Sequence, residues 1–130
     1  MVFEQIIVDT AKLLIVEDDD AARDALGDIF HLEGYQVALS ANGKDALEYL
    51  RSEPLPDLII LDLQMPVMNG WQFRREQSRD ARFATVPVVV ITAFQSPGDL
   101  DGAEIVHKPI DIELLLALVR KLLLAVHSYN

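Results

Sequence analysis

Five short apolar runs punctuate this chain of 130 residues, at positions 13–16, 37–39, 58–61, 88–91 and 105–106. They are rich in Val, Ile and Leu and lack the apolar–polar alternation of a strand with one wet face. Such runs mark parallel strands buried on both sides. The intervals between them read as helices. Residues 21–33 place Ala22, Ala25, Leu26, Ile29 and Phe30 at helical spacing, and Gly34 supplies a stop. Asn42 is positioned to cap the next helix, with Ala46, Leu47 and Leu50 turned inward. A third helix covers 71–79, polar on its outer face, and Asp111 caps a last one reaching His127. Five strands alternating with helices predict an α/β fold on a parallel sheet with right-handed crossovers.

Composition narrows the function. Half the residues are hydrophobic, which is enough for one substantial core, and no repeat or linker divides the chain. Cysteine is absent, so disulfides, thiolate metal sites and cysteine nucleophiles are excluded. The N-terminus lacks the basic region of a secretory signal, and the longest apolar stretch, 112–126, is broken by Arg120 and Lys121. The expectation is a soluble, cytoplasmic protein without membrane contact. A net charge of −10 repels phosphate backbones, so no direct nucleic-acid binding is expected. The same charge favours a basic protein partner or a divalent cation. Residues 1–11 read as a frayed N-terminal extension and 12–130 as the domain.

Chemistry collects where the apolar runs stop. Glu17-Asp18-Asp19-Asp20 follows the first run, Asp62 ends the third, Thr92 ends the fourth and Lys108 follows the fifth. In open parallel sheets ligands bind beyond the carboxyl ends of the strands. These residues therefore converge on one edge from distant parts of the chain. A lone carboxylate at the tip of a buried strand is costly unless paired. Carboxylates, a hydroxyl and an ammonium gathered there suggest an aspartate that accepts a phosphoryl group beside a divalent metal. Asp19 and Asp20 read as solvated residues capping the first helix, although a register of Asp18-Asp19 for the acidic pair stays open. His31, His107 and His127 show no ligand spacing. Trp71 reads as packing rather than a base-stacking platform.

Taken together, these motifs resemble the receiver domains of two-component response regulators, over roughly residues 12–127. The acidic pair matches as Glu17-Asp18 and the phosphoacceptor as Asp62, followed by Met65-Pro66-Val67-Met68-Asn69-Gly70. The hydroxyl residue and its small neighbour match as Thr92-Ala93, and the lysine–proline pair as Lys108-Pro109. The resemblance implies a doubly wound, flavodoxin-like sheet of order 2-1-3-4-5 and a cis Lys108–Pro109 bond. It implies a stand-alone phosphorelay receiver that takes a phosphoryl group from a histidine kinase or histidine phosphotransfer protein. The receiver would then signal to an output protein that the sequence does not name. It implies Mg2+ (or Mn2+) held by Asp18 and Asp62 directly, by Glu17 through water and by the Gln64 carbonyl. Lys108, Thr92 and the Ala93 N–H would serve the phosphoryl oxygens. Such a protein dephosphorylates itself but turns over no external substrate, so it is not an enzyme in the usual sense. This chemistry needs positioning and charge neutralisation more than covalent help, and a hard divalent ion that keeps waters suits a carboxylate pair.

The pattern also departs from the family. Residues 94–102 contain Pro97 and two glycines, so a shortened or irregular fourth helix is expected. Ile105 stands where the family's aromatic switch residue usually lies. Any activation is expected to run through a rearranged 94–102 loop. Phe94, two positions after Thr92, is expected to slow dephosphorylation. In the last helix Ile112, Leu115, Val119, Leu122 and Val126 are expected to face the sheet. Leu114, Leu118 and Leu124 would be left for docking or a homodimer. Two other readings stay open. One is a receiver-like module that signals by binding with little phosphorylation. The other is a haloacid-dehalogenase-like phosphatase, disfavoured because Gln64 replaces the required acid two positions after the nucleophile.

Overall fold

Strand β1 (Lys12–Val16) shows how the sheet is built: Leu13 and Ile15 enter one core, Leu14 and Val16 the other. The same alternation continues through β3 (Leu58–Asp62) and β4 (Val88–Thr92), whose residues are buried throughout. In the computed structural model, which describes residues 11–52 and 54–127, β2 (Gln36–Ser40) and β5 (Glu104–His107) form the sheet's edges. The order is β2-β1-β3-β4-β5 and every pairing is parallel. Four helices complete the fold: α1 (Asp20–Leu32), α2 (Gly43–Ser52), α3 (Gly70–Ser78) and α4 (Ile112–His127). Helices α1 and α4 cover one face through Leu26, Phe30, Leu115, Val119 and Leu123. Helices α2 and α3 cover the other through Ala46, Leu47, Leu50 and Phe73. This is the expected doubly wound α/β architecture. No helix among the described residues is long and apolar enough to cross a membrane.

Local signals set the helix ends. Asp19 caps α1 by accepting from the Ala22 N–H at 2.8 Å. Gly34, with φ +100°, lets the Tyr35 N–H return to the Phe30 carbonyl and close the helix. Asn42 accepts from Asp45 N–H at 2.8 Å, and Asp111 from Leu114 N–H at 3.2 Å. Asn69 and Gln72 form a reciprocal capping box at α3.

Three expectations need correction. The runs at 37–39 and 105–106 are not buried on both faces: β2 and β5 are edge strands with exposed residues. Ile105, paired with Val90, lies on the α2–α3 side of the sheet, which no helix covers at β5. The buried stripe of α4 is Leu115, Val119 and Leu123. Leu118, Leu122 and Leu124 pack against it in part, and Leu114 is exposed. The Val126 side chain lies outside those described. Finally, Ala11, assigned to the extension, is buried, and its carbonyl accepts from the Gln36 N–H. Residues 1–10 lie outside the described residues.

The segment between β4 and β5 forms no helix, as its Pro and Gly content predicts. It is nevertheless held firmly. Leu100 is buried in the core under α2 and α3. Arg74, only 6% exposed, donates to the Leu100 carbonyl through Nε and Nη2 at 3.1 and 2.9 Å, and to the Asp101 carbonyl at 3.0 Å. Its Nη1 meets Gln77 Oε1, and Gln77 Nε2 donates to the carbonyls of Phe83 and Val86, both at 3.1 Å. Trp71 Nε1 donates to the Pro97 carbonyl at 2.8 Å, and its ring meets Phe94 edge-on at 5.4 Å.

Candidate functional site

Register brings the strand ends level. Val16 lies beside Leu61, Asp62 beside Ile91, and Thr92 beside His107. The chain therefore leaves four neighbouring strands at one edge, with Glu17, Asp62, Thr92 and Lys108 side by side. Glu17, Asp62 and Thr92 are buried, at 6%, 6% and 1% exposure.

Carboxylate oxygens of Glu17, Asp18 and Asp62 all lie within 4.8 Å of one another. Lys108 Nζ sits 3.5 Å from Asp62 Oδ1 and is the cation paired with this cluster. The Gln64 N–H approaches Asp62 Oδ1 at 3.4 Å, a long contact. Asp19 points away as the α1 cap, so the acidic group is Glu17-Asp18 rather than Asp18-Asp19. The Thr92 hydroxyl accepts from the Phe94 N–H at 3.0 Å. The Lys108–Pro109 bond is cis.

Two further residues shape the site: Arg23, which was not evident in the sequence, and Gly70, which stands in the loop motif without an assigned role. Arg23, on α1, donates to the carbonyls of Glu17 at 3.0 Å and Asp18 at 3.5 Å, and pairs with Asp20. It ties the acidic loop to the helix that follows. Its spacing of five from Asp18 was visible, but a single arginine on an amphipathic helix carries no signal of its own. Gly70 opens α3 directly against the end of β3. A Cβ there would come within 2.7 Å of Leu63 Cα and 2.8 Å of the Asp62 carbonyl. Between them Val67 takes φ +71° in a tight turn closed by Met68 N–H to Pro66 carbonyl at 2.9 Å. A β-branched residue in that conformation is strained by about 1–3 kcal/mol.

Burial raises the Glu17 carboxyl from its ordinary 4.5 to about 7, assisted by the Asp62 charge and opposed by the Asp19 N–H. Three crowded carboxylates with hard oxygen donors match the preference of a small divalent cation such as Mg2+. The donor set therefore fits the metal that the motifs imply. With divalent metal chelated, the sign of the pH effect is determined. The unfolded chain releases the Glu17 proton near pH 4.5 and the folded chain near 7. The contribution of this group is thus full below pH 4.5 and lost as pH rises to about 7. Urea unfolding in chelator across this window is expected to show that decline, and Glu17→Gln should flatten it. An unchanged slope in the variant would assign the decline to other groups.

The profile of the response regulator receiver domain matches residues 13–120. The chain is 37% identical over 119 residues to the response regulator Rre1 of Synechocystis sp., covering 86% of this chain and 51% of Rre1. It is 32% identical over 119 residues to the PilH protein of Pseudomonas aeruginosa, covering 87% of this chain and 98% of PilH. The chain therefore spans about half the length of Rre1 and nearly all of PilH. A solved signal receiver domain of a signal transduction histidine kinase from Syntrophus aciditrophicus superposes with a TM-score of 0.85 at 30% identity. That match covers 91% of this chain and 93% of the other.

Proposed function

The chain belongs to the response regulator receiver domain family, and on that premise we propose that Asp62 accepts a phosphoryl group from a phosphohistidine. The donor is a histidine kinase or histidine phosphotransfer protein. The observation that carries this reading is the buried Asp62 carboxylate, held between a carboxylate cluster and the Lys108 ammonium at 3.5 Å. An Asp62 oxygen forms the new O–P bond as the P–N bond to the donor imidazole breaks, and the imidazole leaves with a proton from solvent. Lys108 then turns from the carboxylate to a phosphoryl oxygen. Thr92, whose oxygen is already engaged by the Phe94 N–H, keeps its own proton free to donate. The Ala93 N–H serves the third oxygen. When bound by Glu17, Asp18, Asp62 and the Gln64 carbonyl, Mg2+ or Mn2+ supplies neutralisation of the developing charge. The acylphosphate is later hydrolysed at the same site, so there is no turnover of an external substrate.

A groove of about 360 Å3 adjoins this site. Ala22, Ala25, Leu26 and Ile29 of α1 line it, with Pro109 and Ile110 beyond β5 and Glu17 and Lys108 at its mouth. An apolar helix of the donor fits this surface and would bring its phosphohistidine to Asp62. Output follows the pinned loop. If Thr92 turns toward a phosphoryl oxygen, its bond to Phe94 is strained, and Phe94 touches Trp71, which holds Pro97. Phe94 also stands beside the path of hydrolytic water and slows dephosphorylation.

The test is intact mass after incubation with acetyl phosphate and Mg2+. One labile phosphoryl group is expected, and none in chelator. No gain with several small donors, in a folded protein, would leave the binding-only reading, which the exposed Ile105 and the helix-free 94–102 segment favour.

A further inference from the structure

Among the described residues β2 pairs with β1 alone, so one side of its backbone is open. An unpaired edge is a template for an added strand. Leu39, 45% exposed, lies on this edge. Two adjoining grooves, about 620 and 330 Å3, run along it and share Asp24 and Leu39. Their walls are predominantly acidic: Arg23, which lines the larger groove, is already paired with Asp20, and four carboxylates remain. Asp24 and Asp28 stand on the α1 side of the sheet, and Asp45 and Glu48 on the α2 side. All four are exposed, and among the described residues none forms an ion pair. The Asp45 carboxylate accepts from Asn42 Nδ2 at 3.4 Å, at its own helix start.

The spacing suits an extended chain. Same-face side chains of a strand repeat every ~6.7 Å. Asp24 and Asp28, four positions apart on a helix, are separated by ~6 Å. Side chains of an added strand would point alternately to the α1 wall and to the α2 wall. Both walls are acidic, so consecutive cationic residues are matched, with an apolar residue over Leu39. A second copy of this chain, at net charge −10, is repelled, and so is a nucleic acid.

We propose that the β2 edge takes an extended basic segment of a partner protein as a sixth strand, its lysines or arginines alternating between the carboxylates of α1 and those of α2. Backbone hydrogen bonds would provide the docking and the two acidic walls the selectivity. The groove shares Arg23 with the acidic loop, but none of its carboxylates belongs to the Glu17-Asp18-Asp62 cluster, so its test does not depend on phosphorylation.

The experiment titrates the full chain with the acetylated and amidated peptide Thr-Lys-Lys-Lys-Lys-Val-Thr, followed by amide NMR spectra and hydrogen exchange. Saturable binding is expected, with shifts and slowed exchange centred on Gln36–Ser40. The double change Asp24→Asn with Asp28→Asn should weaken it by about tenfold, as should N-methylation of alternate peptide amides, which leaves the charge intact. Circular dichroism of the double variant checks that the fold is kept. Equal affinity for the N-methylated peptide would overturn strand addition and leave charge attraction alone. Shifts centred on Glu17, Asp18 and Asp62, or the absence of saturable binding, would overturn the site itself.

Discussion

Asp62→Asn is expected to abolish the metal-dependent phosphoryl gain, a fall of at least about 100-fold in labelling, while the chain remains folded. The amide has nearly the shape of the carboxylate and fits the same buried position at the end of β3. What it lacks is an anionic oxygen to form the O–P bond. It also removes one of three carboxylates that crowd within 4.8 Å, so stability in chelator should be equal to or above that of the parent. The metal response should move the opposite way. Mg2+ is expected to stabilise the parent by mass action, and the shift in midpoint of thermal unfolding with Mg2+ should shrink in the variant. Intact mass and thermal unfolding together make the test. Labelling that persists in Asp62→Asn would place the acceptor elsewhere in the acidic group.

Arg74→Ala should have the largest effect on stability. The side chain is buried and joins α3 to the segment between β4 and β5, where a helix is missing. Truncation removes both guanidinium bonds to the Leu100 carbonyl, which keeps only the Ala103 N–H, takes the Arg74 donor from the Asp101 carbonyl, removes the partner of Gln77 Oε1, and opens a cavity beside Leu100. A loss of roughly 3 kcal/mol is expected from groups left unsatisfied in the interior. The neighbouring Arg75→Ala, exposed on the same helix, should cost less than about 0.5 kcal/mol. Arg74→Lys should recover only part of the loss, because an ammonium cannot fork between two carbonyls as a guanidinium does. Urea unfolding of the three variants makes the comparison. Similar losses for Arg74→Ala and Arg75→Ala would mean that the segment is held by Leu100 and Trp71 instead.

Much of this was legible in the residues. The alternation of unbroken apolar runs with helical spacing identifies an α/β sheet, because only strands covered on both faces dispense with polar alternation. The strand-end position of Glu17, Asp18, Asp62, Thr92 and Lys108 follows from the same runs. Asn42, Asp19 and Asp111 announce their helices by local hydrogen bonding, which depends only on neighbours in the chain. The absence of a helix at 94–102 follows from Pro97, Gly98 and Gly102 for the same reason.

Other features had no local signature. Arg74 and Gln77 occupy inward positions of α3 beside Gly70 and Phe73, yet polar residues on a helix ordinarily face water. Their burial makes sense only because backbone carbonyls from 83–86 and 100–101 arrive there to be satisfied. Which of β2 and β5 would be edges, and so lose cover, depends on strand order rather than on apolar content. The leucines of α4 show the same limit: with apolar side chains on several faces, packing into the shared core selects Leu115, Val119 and Leu123. The sequence by itself determined the elements and the residues gathered at the strand ends, because hydrophobic periodicity and capping act over a few residues. Only the tertiary structure decided that three carboxylates close to within 4.8 Å, that a buried arginine holds the segment where a helix is missing, and that among the described residues β2 is an edge beside predominantly acidic grooves. Each depends on groups distant in the chain meeting at one place, where burial and charge then act on them together.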